Sequence, residues 1–340
     1  MKVAVLTTSY PRPGAEHVGR FVADAVERLR GEGVAVTVVA PDSFRDAGLA
    51  QGHGVVREAR TRPWAVPVLV ASMARALRRL AADADLVHVH WLQNAAAAIL
   101  AGKPYVVTLH GTDVALARRA PALARPLLRR ARRVIAVSTA LAEEARRLGV
   151  PGPVVIPNGV ELPARLAEPA EPPFVLYAGR LAAEKGIEEL AEAATGLPLV
   201  VTGDGPLRRL APQTRGFVPR PELHRLYDEA AVVVCPSRRE GFGVSCAEAM
   251  AHARPVVATA VGGLLDLVLH EETGLRVPPR DVPALREALE RLLGDRELRA
   301  RLGAAARAHV ERLCAWESVT AATIAVYRGA AAQPPPGLAR

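Results

Sequence analysis

Cysteine is nearly missing from this chain of 340 residues: Cys235, Cys246 and Cys314 are the whole supply. They form no CxxC pair and are odd in number, which excludes a disulfide framework and a zinc module. They read as small buried hydrophobes in a reducing, cytoplasmic setting. Aromatic residues are only 4% of the chain and no basic stretch is interleaved with them, so few rings are on offer to stack on nucleic-acid bases. No uninterrupted apolar run reaches the roughly 18 residues of a membrane-spanning helix. The opening MKVAVLTTSYPRPG has a short apolar run before a polar turn, which reads as a buried strand and not as a signal peptide. No G-x-G-x-x-G follows that strand, there is no Walker A sequence, and no G-x-S-x-G elbow occurs. A dinucleotide fingerprint, a P-loop and the anchor of a hydrolase triad are thereby lacking.

What is present is an ordinary globular composition, 50% hydrophobic and 23% charged, long enough for two domains. Lysine is the rare charge: only Lys2, Lys103 and Lys185 stand among 44 basic residues, so nearly all the positive charge is arginine. The formal net charge of +9 is unevenly spread. Residues 1–160 hold 22 basic against 12 acidic side chains, and residues 161–340 hold 22 against 23. The excess belongs to the first half alone.

Short apolar runs alternate with helical patterns, as βα units of a parallel sheet do. The first series is Val3–Leu6, Val34–Ala40, Leu86–Val89, Tyr105–Leu109, Val134–Val137 and Val154–Ile156. The second is Phe174–Ala178, Leu199–Thr202, Gly216–Val218, Val232–Cys235, Val256–Ala258 and Leu275–Val277. Between them the Pro-rich segment 161–173 breaks the periodicity as a linker would. The expected architecture is α/β: two doubly wound parallel-sheet domains, 1–160 and 174–312, with ligands at the facing strand ends. Helical stretches run over 296–312 and 316–327, and the tail 329–340 is expected to be disordered.

Chemistry concentrates at the ends of the expected strands. After Val232–Cys235 the run Glu240-Gly-Phe-Gly-Val-Ser-Cys-Ala-Glu248 puts two carboxylates across a glycine loop that opens a helix. Such a helix start offers N–H groups and a positive dipole end to an anion. A capping box, Ser245-x-x-Glu248, accounts equally for the serine and the second glutamate. After Phe174–Ala178 comes Gly179-Arg-Leu-Ala-Ala-Glu-Lys185-Gly186, where an arginine fork and a point-charge lysine flank a turn suited to a diphosphate. Gly203-Asp-Gly-Pro206 reads as a tight turn or as backbone approach to a ligand. His110-Gly-Thr-Asp113 puts a histidine at a strand's carboxyl end, as a polar contact or a purely structural group. His88 and His90 share one strand face near Asp83-x-Asp85, but no further ligand completes a metal set, and none is expected.

Taken in order along almost the whole chain, these elements resemble the retaining GT-B glycosyltransferases of family 4. The E-x7-E signature is Glu240 and Glu248, the GR-L-x-x-EKG element is Gly179–Gly186, and the GDGP turn is Gly203–Pro206. IPNGV is Ile156–Val160, and the G-x-x-E-A-M-A helix-and-strand stretch is Ser245–Thr259, varied at His252, Ala253 and Arg254. The resemblance implies transfer of a sugar from a nucleotide-diphosphate donor to a hydroxyl, with retention and without a metal or other cofactor. Arg180 and Lys185 would hold the diphosphate. Glu240 would contact sugar hydroxyls with the backbone of Phe242, Gly243 and Val244, and Glu248 would bind the ribose while capping its helix. Gly203 would line the donor site, and Phe217 and Val218 would frame the base. His110 would touch the sugar near the reacting centre, with Asp113 close by. The helix around 316–327, within a segment 313–328, would cross back to the first domain. Relatives carry a Gly-Gly pair after the first strand. Here the glycines are separated, Gly19 is the candidate for close approach to the donor, and Tyr10, His90 and Trp91 fall on the acceptor side.

A GT-B epimerase or phosphorylase is the nearest rival, disfavoured by the pairing of E-x7-E with GR…EKG. From another class, a basic surface protein binding nucleic acid or membrane would explain the arginines. From Val114 to Ala142 there are seven arginines, including Arg129, Arg130, Arg132 and Arg133, and no acid. Leu116, Leu123, Leu127 and Leu128 supply apolar partners, so this segment reads as a peripheral anchor on anionic lipid or as a solvated face. Pro121 and Pro126 are expected to shorten its helix. The acceptor is then a glycan, a lipid-linked compound or a small molecule, and no nucleic acid is expected as a partner.

Overall fold

The computed structural model describes residues 1–46, 49 and 61–332. The chain forms two compact units, Met1–Ile156 with Trp316–Arg340, and Pro157–Ala315. Unit 1 is built on a six-stranded sheet: β1 (Lys2–Leu6), β2 (Ala35–Val39), β3 (Leu86–His90), β4 (Tyr105–Leu109), β5 (Arg133–Ala136) and β6 (Val154–Val155). The order is β2-β1-β3-β4-β5-β6, with parallel pairing throughout. Its described helices are α1 (Arg20–Gly31), α2 (Ala65–Leu80), α3 (Ala95–Leu100), α4 (Thr112–Arg119), α5 (Pro121–Arg130), α6 (Thr139–Arg147) and, in the returning segment, α13 (Trp316–Ala331). Every residue of β3 and β4 is buried, which is why those strands read as unbroken apolar runs.

Unit 2 holds β7 (Val175–Ala178), β8 (Leu199–Thr202), β9 (Val232–Cys235), β10 (Val256–Thr259) and β11 (Gly274–Val277), in the order β11-β10-β9-β7-β8. Its helices are α7 (Ile187–Ala193), α8 (Arg220–Glu229), α9 (Val244–Ala251), α10 (Leu264–Leu267), α11 (Val282–Gly294) and α12 (Arg296–Cys314). In each sheet the first strand lies between the second and the third. The chain therefore reverses its winding direction at β1/β3 and again at β7/β9. Open α/β sheets bind ligands beyond the carboxyl ends of strands at such a reversal, because the diverging loops leave a crevice there.

Three expectations change. Gly216–Val218 is no strand: Gly216 makes only an isolated antiparallel bridge with Gly203, and Pro219 then leads into α8. The Pro-rich stretch is irregular but lies inside unit 2, with Ala170 N–H donating to the Glu229 carbonyl at 2.9 Å and Arg307 Nη2 to the Pro163 carbonyl at 3.1 Å. The start of the expected disordered tail is helical through Ala331, because Ala330 is buried and its carbonyl accepts from Arg132 Nη1 at 2.8 Å. Residues 333–340 of that tail lie outside the described residues.

Helix α13 closes unit 1. Trp316 and Val319 pack on Ile135 and Ile156, while Ile324 and Tyr327 pack on Val3, Leu86 and Val106. Inside this seam His88 has both ring nitrogens engaged, Nδ1 with Tyr327 Oη at 2.6 Å and Nε2 with Thr108 Oγ1 at 2.7 Å. Burial pulls its pKa down to about 3, so the ring is neutral near pH 7. An unfolded histidine titrates near 6.5, so between roughly pH 6.5 and 3 the unfolded chain carries the extra proton and stability falls as pH falls, by up to about 1.4 kcal/mol per pH unit. Urea denaturation of unit 1 between pH 7 and 5 should show this slope. His88→Gln, which keeps a donor and an acceptor but does not titrate, should make it shallower by the share of His88, leaving the slope that the equally buried His90 and His110 contribute. An equal slope in both proteins would mean the ring is not held neutral.

Candidate active site

In unit 2 the loops after β7 and β9 meet at the sheet's reversal point. Gly186, with φ of 70°, ends a short 3-10 turn over Ala183–Lys185 and caps the start of α7. A Cβ at Gly186 would fall 1.9 Å from the Pro236 carbonyl oxygen, so only glycine lets the two loops touch there. This contact brings Lys185 Nζ to 2.6 Å from Glu240 Oε2, an ion pair with side chains 28% and 15% exposed. Ser237 Oγ donates to the same carboxylate oxygen at 3.1 Å. Arg180 stands exposed on the first loop, paired with Glu184.

Sequence reasoning missed Arg238. Its Nε donates to Glu189 Oε1 at 2.7 Å, its Nη2 to Glu188 Oε2 at 2.5 Å, and its backbone N–H to the Glu184 carbonyl at 2.9 Å. A guanidinium held by two carboxylates thus staples the β9 loop to the start of α7. The signal available was the Glu188-Glu189 pair opening a helix, but no spacing rule linked it to an arginine 49 or 50 positions on.

Helix α9 starts at Val244 with Gly243 as its left-handed N-cap and no side-chain cap, so the capping-box expectation for Ser245 and Glu248 fails. Glu248 instead accepts from Tyr227 Oη at 3.0 Å. Tyr227, fully buried on α8, is pushed well above the ordinary phenol range by burial and by the carboxylate, so it serves as a donor. Behind it His252 bridges Asp228 Oδ1 at 2.7 Å and His224 Nδ1 at 2.9 Å, tying α9 to α8. Phe242 and Gly243 are buried, and Val244, the first residue of α9, is half-buried. The Gly203 N–H is spent on the Gly216 carbonyl at 2.6 Å, so this glycine shapes the turn and has no amide to spare for a ligand. Phe217, beside it, is about half exposed, and Val218 is half-buried.

In unit 1 Gly19 is the left-handed N-cap of α1, and a Cβ there would meet the Ser9 carbonyl oxygen at 2.2 Å, so the β1 loop packs directly on the helix start. Tyr10 and Trp91 pack against the Val5, Val22 and Val26 cluster. Trp91 takes φ of 66°, a costly conformation for a bulky residue, fixed by its N–H bond to the Thr108 carbonyl at 3.1 Å. His110 lies beyond β4, with ring centroids 4.7 Å from Trp91 and 5.2 Å from Phe21. Burial, with help from His88, pulls its pKa down to about 3, so the ring is neutral near pH 7. Asp113 does not face a ligand as expected. It is 1% exposed and accepts from the backbone N–H groups of Leu92, His110, Gly111 and Val114, so its carboxylate shapes the His110 loop. His90, expected on the acceptor side, is buried behind His110.

The basic segment divides. Its prolines end α4 and begin α5, and Pro126 lies within α5. Arg129 and Arg130 are exposed there and Leu123 is 75% exposed, whereas Arg132 holds the Ala330 carbonyl and Arg133 starts β5. Among the described residues no helix is long and apolar enough to cross a membrane, and no group of three His, Cys, Asp or Glu side chains is placed to hold a metal.

The carboxyl-edge arrangement of two cations, a carboxylate and a helix N-terminus suits an anionic, hydroxyl-rich ligand. Comparison with known proteins agrees with this. Residues 160–309 match the model of glycosyl transferases group 1, and residues 18–163 match that of Glycosyltransferase Family 4. The chain is 30% identical to a glycogen synthase of Mycobacterium tuberculosis over 83% of this chain and 75% of that protein. It is 29% identical to the GDP-mannose-dependent alpha-(1-6)-phosphatidylinositol monomannoside mannosyltransferase of the same organism, over 96% and 98% of the two chains. Among solved structures it is similar to sucrose-phosphate synthase from Thermosynechococcus elongatus, with TM-score 0.81, 25% identity and coverage of 96% and 98%. The matched halves, the two reversed parallel sheets and the loops at their carboxyl edges lead to one conclusion: the chain belongs to the group 1 glycosyl transferases and is a glycosyltransferase of GT-B fold.

Proposed function

We propose that this glycosyltransferase moves a hexose from a nucleotide-diphosphate sugar to a hydroxyl acceptor with retention of configuration, in the manner of family 4, and without a metal ion. The Lys185–Glu240 pair at the β7/β9 reversal carries the reading: it sets a cation for the leaving diphosphate beside a carboxylate for the sugar's hydroxyls. Arg180, turning from Glu184, adds a planar fork. Glu248, already ordered by Tyr227, accepts from the ribose hydroxyls. The Phe217 ring and the backbone of Val218 frame the base, and His110 meets the sugar near the reacting carbon.

In the transfer the bond from C1 to the diphosphate oxygen breaks, and its electron pair leaves with the phosphate. The acceptor oxygen bonds to C1 from the same face and gives its proton to that phosphate oxygen. Arg180 and Lys185 stabilise the charge that develops on the leaving group, so a metal is not required. The acceptor is the more open partner. Exposed Leu123, flanked by exposed Arg125, Arg129 and Arg130, supports a lipid-linked acceptor reached at an anionic membrane surface.

A thermal-shift screen of UDP-, GDP- and ADP-sugars should find one that stabilises the protein, by about 2.7 kcal/mol at 100 times its Kd. Arg180→Ala should abolish the shift, and a screen in which no nucleotide sugar acts would sink the reading. Lys185→Ala should lower kcat/KM on the order of 100- to 1000-fold with an unchanged melting temperature, the size expected for losing one group that stabilises developing charge. EDTA should leave the wild-type rate intact. Flotation with anionic vesicles should carry the wild type upward and leave Leu123→Ser/Arg129→Ser/Arg130→Ser behind. Equal flotation of both would remove the membrane reading.

A further inference from the structure

We propose that His90 is a positioning residue for His110: through one shared hydrogen bond it fixes which nitrogen of His110 carries the proton and how that ring is turned. The inference rests on the reading above, in which His110 meets the transferred sugar.

Strand alternation puts His88 and His90 on the same face of β3, with ring centroids 4.4 Å apart. The parallel register of β3 with β4 sets His90 level with Thr108, two residues before His110. His90 Nδ1 lies 3.0 Å from His110 Nε2, and the two rings are close to parallel, 17° apart with centroids at 5.2 Å. That bond holds one proton. Two protons would collide across 3.0 Å, and two bare nitrogens would set lone pair against lone pair in a buried place.

The two tautomers are therefore locked together. If His90 carries its proton on Nδ1, His110 Nε2 is bare and its proton sits on Nδ1. If His90 carries it on Nε2, so does His110. Both rings thus bear the proton on the nitrogen of the same name. The outer nitrogen of His110, Nδ1, makes no hydrogen bond among the described residues, so it is the atom left for a ligand, and its character as donor or acceptor follows from His90.

Among the described residues no other neighbour sets this choice. Trp91 and Phe21 touch the His110 ring as aromatic faces and edges. Asp113 takes the backbone N–H of His110 and not the ring. Behind His90, His88 is held by Tyr327 and Thr108 and cannot swing away. Burial disfavours the charged form of all three rings, which keeps the shared bond of the neutral N–H···N kind.

Long-range 1H–15N spectra of the whole chain labelled at histidine should show His90 and His110 each in a single tautomer, and the same one. Opposite tautomers, or a rapid mixture in both, would overturn the proposal without any variant. His90→Leu should turn His110 into a tautomer mixture and lower kcat on the order of 10- to 100-fold, with the KM for the nucleotide sugar little changed. His90→Asn, whose amide lies near the place of Nδ1, should restore most of kcat and a single His110 tautomer. If His90→Leu keeps the wild-type His110 signals and kcat, the role is refuted. If both variants lose activity and melt early alike, His90 only supports the fold. The tautomers are read in the free protein, so a chain that turns over no nucleotide sugar would refute the transferase reading while leaving the coupling of the rings measurable.

Discussion

Unit 2 depends on one backbone contact, Gly186 against the Pro236 carbonyl. The added Cβ of any other residue would stand 1.9 Å from that oxygen, so the loops after β7 and β9 could not close on each other. Their closure is what makes a pair of Lys185 and Glu240, whose positions lie 55 residues apart in the chain. Around the contact the remaining fixings are polar and local: Arg238 on Glu188 and Glu189, and Ser237 on Glu240. The pair of Lys185 and Glu240 is thus ordered by the protein itself, with no ligand needed to bring the two groups together.

Unit 1 solves a different problem, holding a histidine neutral in a crowded aromatic corner. Asp113 spends its charge on four amides and so draws the loop round His110 without acting on the ring. His88, His90 and His110 then form a buried row in which every ring is neutral for the same reason, loss of water. The two halves thus use opposite electrostatics. In unit 2 Lys185 and Glu240 are paired and partly exposed, whereas in unit 1 burial keeps the three histidine rings neutral.

Strand positions were legible because buried parallel strands need apolar residues on both faces. Val232–Cys235, Leu199–Thr202 and Tyr105–Leu109 were readable to the residue. The loops were legible because glycine and the scarce lysine mark places where backbone or charge has a particular task. What escaped was set by tertiary contact. Gly216–Val218 has strand-like composition, yet its one bridge goes to a turn at Gly203. Ser245 and Glu248 have capping-box spacing, but the helix is capped two residues earlier, at Gly243, and Tyr227 claims the glutamate. Gly329–Ala331 resembles a loose end until the contacts of Ala330 with Arg132 and the unit 1 core are seen. Arg132 reads as one of a basic group, and only the fold turns it inward, away from Arg129 and Arg130.

The return of α13 makes unit 1 a body assembled from both ends of the chain, with unit 2 inserted between them. On a ribosome, where domains emerge amino end first, the apolar surface of Val3, Leu86 and Val106 that Tyr327 covers stays bare until the whole of unit 2 and then Tyr327 have been made. Unit 2 has all of its own sequence by Ala315 and can finish first. A chain stopped short of Trp316 therefore leaves unit 1 with exposed apolar strands and no partner for His88. Unit 1 is therefore complete only after unit 2 has been made.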